Sequence, residues 1–166
     1  MCIKMNDYKK YIFCIMLLVF LVKSSLSQER FIFDTLDNWL TIGTFDSDIK
    51  KNIGLPDSVS NSEIWEFTGA EYQYWYYKDL GLTLLLEKKD SDISVYSIEL
   101  ISEIFCTTMD VKIGDTRDDV ILKYKDFVDM NDSDCSITIV NNIYEGTFFL
   151  YSDKILRKII IGSIAE

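Results

Sequence analysis

The chain has 166 residues, 17 of them basic and 27 acidic, with four cysteines, no histidine and a net charge of −10. The missing histidine excludes His-based triads, His general bases and His metal ligands together. The acid excess repels nucleic acid and anionic membrane and favours a basic partner, while serving solubility equally well.

Residues 1–27 read as a secretory signal peptide. Lys4, Lys9 and Lys10 supply the positive start, and residues 11–22 (YIFCIMLLVFLV) form an apolar stretch. Ser25-Leu26-Ser27 then offers small residues three and one before a cut, leaving Gln28 first. A membrane anchor is the competing reading, but a spanning helix needs ~20 apolar residues, and Lys23 ends this run. No cysteine follows the run as a lipid-anchor site, because Cys14 lies inside it. The expectation is an exported protein, periplasmic or secreted, without a membrane anchor after cleavage. The leader holds Lys4, Lys9, Lys10, Lys23 and Asp7, so residues 28–166 keep 13 basic and 26 acidic residues, a net −13.

Residues 28–41 are an apolar approach, with a short helix expected over 34–40 and Trp39 as a core anchor. Beyond it the chain echoes itself. Ile42-Gly43-Thr44-Phe45-Asp46-Ser47-Asp48-Ile49 returns 71 residues later as Ile113-Gly114-Asp115-Thr116-Arg117-Asp118-Asp119-Val120. Each copy places acid at a helix start, where the macrodipole favours it. The first helix stops at Gly54, with Pro56 after it. The second has Thr116 as N-cap and Asp119 three residues on, and runs to about Lys125.

Strand-like runs follow the first helix at 63–68, 72–78, 82–88 and 93–101, with hairpin-length gaps between them. After the second helix and an acidic linker at 126–134 come runs at 136–141, 143–152 and 155–162. The closing run Val95-Tyr96-Ser97-Ile98-Glu99-Leu100 matches Leu156-Arg157-Lys158-Ile159-Ile160-Ile161 in pattern. The expected fold class is α+β: two tandem units, 28–105 and 106–166, each a short helix on a three- to four-stranded antiparallel meander. The helices would lay Ile49 and Ile53, and Val120 and Tyr124, on one sheet face. The other face is left for water or a partner.

These motifs resemble a known repeat. Ile42-Gly43 with Asp48-Ile49, the stop Gly54-Leu55-Pro56-Asp57, and a Tyr-rich meander are similar to the repeat of β-lactamase-inhibitor proteins (BLIP) and the BamE (SmpA/OmlA)-like family. The second copy keeps Ile113-Gly114 and Asp119-Val120 but has Lys125-Asp126-Phe127 where Gly-x-Pro would stand. The resemblance covers 36–163. It implies a non-enzymatic protein whose sheet grips another protein, as inhibitor or immunity factor, or which scaffolds envelope machinery. The absent lipid-anchor cysteine departs from the BamE pattern, and the two units look more like the tandem inhibitor arrangement.

Candidate chemistry is sparse. Two cysteines after the leader are too few for a structural zinc site. Cys106 and Cys135 are an even pair in an exported chain, so either a disulfide or two separate buried thiols is expected. No phosphate loop or dinucleotide fingerprint is present. The run Asp129-Met130-Asn131-Asp132-Ser133-Asp134 looks calcium-like but lacks the EF-hand glycine, and Val140 stands where the closing Glu belongs. No cofactor, metal or catalytic residue is assigned; a carboxylate-based enzyme stays as the lesser alternative.

The aromatic run Glu71-Tyr72-Gln73-Tyr74-Trp75-Tyr76-Tyr77 is the candidate binding element. Alternation puts Tyr72, Tyr74 and Tyr76 on one strand face and Gln73, Trp75 and Tyr77 on the other. Tyr and Trp dominate protein-binding hot spots, though aromatics also stabilise sheets by cross-strand packing alone. Trp65 and Phe67 are expected to extend the surface, as are Phe149 and Tyr151 from the second unit. Glu66, Glu71 and Glu99 would give an acidic rim for a basic partner.

Overall fold

A computed structural model describes residues 34–128, 137–141 and 146–162. The proposed leader, the run 129–134 and Cys135 lie outside the described residues.

Among the described residues, two short helices form where acid meets a helix start. In α1 (Asp46–Ile53), Asp46 and Asp48 occupy the first turn, and Phe45 makes no side-chain cap. In α2 (Arg117–Lys123), Thr116 caps properly: its Oγ1 accepts the Asp119 N–H at 3.2 Å. Gly54, at φ +84°, ends α1 and donates to the Lys50 carbonyl. Each helix fully buries one residue, Ile49 or Val120. Tyr124, just beyond α2, is buried as well.

The helix expected over 34–40 does not form. Leu36 and Leu40 pair as an antiparallel bridge, with the Leu36 N–H donating to Leu40 O at 2.8 Å. Asp37 (φ 48°) and Asn38 (φ 61°) make the turn between them. Asp and Asn tolerate this left-handed region, and two such residues in succession favour a tight reversal over a helix.

The described residues hold eight strands in chain order: β1 (Ser58–Val59), β2 (Glu63–Ile64), β3 (Glu71–Tyr77), β4 (Leu82–Lys89), β5 (Asp92–Leu100), β6 (Ile137–Asn141), β7 (Gly146–Ser152) and β8 (Ile155–Gly162). They make one sheet in the order β1-β3-β4-β5-β8-β7-β6, with β2 pairing β3 beside β1. Every named strand pair is antiparallel. With the two helices this is an α+β fold dominated by its sheet.

One face of that sheet carries the core. Trp75 and Tyr77, then Leu84, Ile98, Ile159 and Phe149, alternate inward along successive strands and join Ile49 and Val120 in a single cluster. Full burial of each aliphatic side chain is worth roughly 1.5–3 kcal/mol, which is what holds helices too short to stand alone. Phe149 and Tyr151 belong to this inward face, so they do not extend an outer surface. Phe149 packs on Tyr124 with centroids 5.0 Å apart.

The backbone repeats its hydrogen bonds along the sequence echo. Gly43 N–H donates to Val95 O at 2.8 Å, and Gly114 N–H to Leu156 O at 2.9 Å. In return Val95 donates to Thr44 and Leu156 to Asp115, both at 2.9 Å. Gly43 and Gly114 sit at φ 82° and 98°. Where β5 meets β8, Ile98 faces Ile161, Glu99 faces Ile160 and Leu100 faces Ile159. Under the match of 95–100 with 156–161, exchanging the two halves leaves that register unchanged.

Candidate protein-binding face

The alternation of β3 divides its aromatics. Trp75, 6% exposed, points to the helices. Its Nε1–H donates to Gln73 Oε1 at 3.0 Å, and Lys50 Nζ lies 5.2 Å from its ring centroid. Tyr77 is buried on the same face and donates its hydroxyl to Gly54 O at 3.2 Å. Both serve the core and the α1 terminus, and neither reaches the opposite face.

On that opposite face the structure gathers Trp65, Tyr72, Tyr74 and Tyr76. The strand expected over 63–68 stops at Ile64, because Gly69 (φ 68°) closes a turn in which its N–H donates to Trp65 O at 2.8 Å. That turn folds Trp65 back over the sheet. Its ring stacks on Tyr72, with centroids 3.9 Å apart and planes at 25°. Tyr96 meets both edge-on, 5.7 Å from Trp65 and 5.1 Å from Tyr72. Ala70 and Leu85 complete this small second cluster. Tyr72 is left only 2% exposed and donates its hydroxyl to Glu87 Oε1 at 2.7 Å. Loss of water pushes its phenol up to about 12, and the Glu87 carboxylate adds to the shift.

Tyr74 and Tyr76 remain accessible. Tyr74 is 38% exposed, and the two rings lie nearly parallel at 6.2 Å. A pocket of about 330 Å³ opens among Ser60, Asn61, Glu63, Trp65, Tyr72, Tyr74 and Tyr76. Part of its rim is Glu63 of β2 with Ser60 and Asn61, which link β1 to β2, two strands that pair with opposite ends of β3. Three residues, 60–62, span the stretch where β3 has only Gln73 and Tyr74, so the edge carries a bulge. Ser60 pins it: its N–H donates to Tyr74 O at 2.9 Å, and its Oγ accepts the Tyr74 N–H at 3.0 Å. Gln73 Nε2 donates to Ser60 O at 3.0 Å. A short, interrupted strand of this kind also discourages edge-to-edge aggregation.

Charge around the pocket is negative. None of its lining residues among the described ones is basic. Glu71 pairs with Lys88 at 3.0 Å; that hydrogen bond, then one from Ser62, holds its carboxyl below the usual range. Glu99 pairs with Lys158 at 2.8 Å, away from the pocket lining. Phe67 stands fully exposed at the neighbouring turn, and Ile64 is exposed beside it.

Two further features are internal. Asp34, buried, accepts the Tyr124 hydroxyl on Oδ2 and the Thr35 and Thr108 N–H groups on Oδ1. Thr107 Oγ1 lies 2.8 Å from the same hydroxyl. Burial and the adjacent Asp34 push the Tyr124 phenol far up. Cys106 is a half-buried free thiol, 3.5 Å from Asp37 Oδ1; burial first, then Asp37, raises its pKa. Cys135, its candidate partner, lies outside the described residues.

Among the described residues no group of three or more His, Cys, Asp or Glu is placed to hold a metal ion. No helix among them is long and apolar enough to cross a membrane. No protein-family model, curated protein or solved structure matches the chain.

Proposed function

We propose that this chain is an exported, non-enzymatic protein-binding module, built from two α+β units of the BLIP/BamE-like kind, that grips its partner through the outer face of β3. The observation that carries the reading is the half-open aromatic pocket of Trp65, Tyr74 and Tyr76 on a rigid strand. Tyr and Trp give large contact area at low entropic cost, and such residues concentrate binding energy. Their backbone is pinned by the Ser60 hydrogen bonds, so little ordering is lost on binding.

The two-unit reading is supported by the hydrogen bonds shared at Gly43 and Gly114 and by the self-matching β5–β8 register. Among the described residues, the pocket has no second copy: β1, β2 and the Trp65 turn occur in the first half only.

The test is capture. The purified protein, immobilised, is offered envelope and culture-medium fractions. One protein retained in one-to-one ratio supports an inhibitor or immunity role. Retention of a multi-protein assembly moves the reading to an envelope scaffold. No specific retention contradicts both.

A further inference from the structure

We infer that the pocket between Trp65, Tyr74 and Tyr76 seats a basic side chain of the partner protein, arginine by preference, with Glu63 as its counter-charge. This inference rests on the protein-binding reading above.

Four observations carry it. First, the walls are aromatic: Trp65, Tyr74 and Tyr76 present π systems around one hollow of about 330 Å³. A cation beside such rings is attracted by their quadrupoles, most strongly when water is displaced. Second, Glu63 lines the hollow, and among the described residues its side chain makes neither an ion pair nor a hydrogen bond. The neighbouring carboxylates are engaged, Glu71 by Lys88 and Glu87 by the Tyr72 hydroxyl. Third, among the described residues no basic side chain lines the hollow, so a cation of the partner can complement Glu63 there. Fourth, residues 28–166 carry a net −13, which draws a basic surface toward the protein before contact.

Arginine suits the hollow better than lysine. Its planar guanidinium stacks on aromatic rings and presents a fork that matches a carboxylate, whereas an ammonium is a compact, strongly hydrated charge. An uncharged side chain of the same shape would stack but leave Glu63 unanswered.

The three tryptophans of the chain make the test direct, because Trp39 and Trp75 lie outside this pocket and serve as internal references. The purified protein is titrated with acetyl-Gly-Arg-Gly-amide while the indole N–H signals are followed by NMR. The same titration is run with the citrulline peptide, a neutral near-isostere, and with E63Q protein. The expected result is a saturable shift of the Trp65 signal alone. Affinity should be about ten-fold weaker for citrulline and about five-fold weaker for E63Q. Equal responses to arginine and citrulline, or shifts that miss Trp65, overturn the inference. If Tyr74 and Tyr76 are needed for partner capture but E63Q changes neither peptide nor partner binding, this inference falls and the protein-binding reading stands. If capture is indifferent to Tyr74 and Tyr76, that reading falls as well.

Discussion

Trp65 lies on Tyr72 with ring centroids 3.9 Å apart, across the turn made by Gly69. The stack roofs an otherwise open sheet face and shuts Tyr72 from water. It also sets one wall of the pocket, so stability and recognition meet in this pair. Trp65→Ala should destabilise the protein by about 2 kcal/mol, from lost stacking and newly exposed ring area. Urea unfolding measures the loss. Spectrophotometric titration should show the Tyr72 phenol returning from about 12 toward its ordinary value.

Neighbouring residues of β3 should behave oppositely. Trp75 is a core residue, and Trp75→Ala should cost about 3–5 kcal/mol. Tyr74 is 38% exposed, and Tyr74→Ala should stay within about 1 kcal/mol of the parent. Thermal melts of the two variants check this. Near-equal losses would contradict the assignment of strand faces.

Alkaline pH should unfold the protein through its tyrosines. Burial pushes Tyr72, Tyr77 and Tyr151 up to about 12 each, and Tyr124 further. In the unfolded chain a phenol ionises near pH ~10. Between these values the unfolded state has released protons that the folded state still holds. Stability from these groups is therefore complete below about pH 10 and falls as pH rises through 12. Unfolding free energy measured against pH should show this decline, and Tyr77→Phe should make it shallower.

The buried Asp34–Tyr124 contact should behave as a structural pair. Tyr124→Phe removes a hydroxyl donor from a buried carboxylate, leaving Asp34 its two backbone donors. The expected loss is about 1.5–3 kcal/mol. Thr107→Val removes the oxygen beside that hydroxyl and also the acceptor of the buried Val111 N–H at 3.1 Å, so it should cost a comparable amount. Denaturant midpoints of both variants check this.

Gly43→Ala and Gly114→Ala should be matched variants. Both glycines hold positive φ, and a Cβ at either meets nothing within 4 Å, so the penalty is conformational rather than steric crowding by neighbours. Each should cost about 1–2 kcal/mol. Very different losses in urea unfolding would weaken the two-unit reading.

Much of the sheet was legible because alternation is a local property. Tyr72, Tyr74 and Tyr76 part from Trp75 and Tyr77 by the period of a strand alone. Val95, Ile98 and Leu100 share their spacing with Leu156, Ile159 and Ile161, and all six are buried. Features set by tertiary pairing were not legible. The spacing of Leu36, Trp39 and Leu40 fits a helix, yet Asp37 and Asn38 turn the chain back, a signal that stood in the sequence as an adjacent Asp-Asn pair. The return of Trp65 onto Tyr72 depends on the Gly69 turn and on how β2 meets β3. Phe149 and Tyr151 have strand-like spacing, but which face of β7 turns inward follows from pairing with β8. Asp34 had one cue, an acid within an apolar approach, and its partner lies 90 residues away.

The most direct test compares partner capture by the parent protein, by Tyr74→Ala/Tyr76→Ala and by Leu122→Ala, an exposed apolar residue on α2. All three should melt cooperatively. The account predicts that one protein is retained by the parent and by Leu122→Ala and is lost from the double tyrosine variant. Equal retention by all three, or no specific retention by the parent, would contradict it.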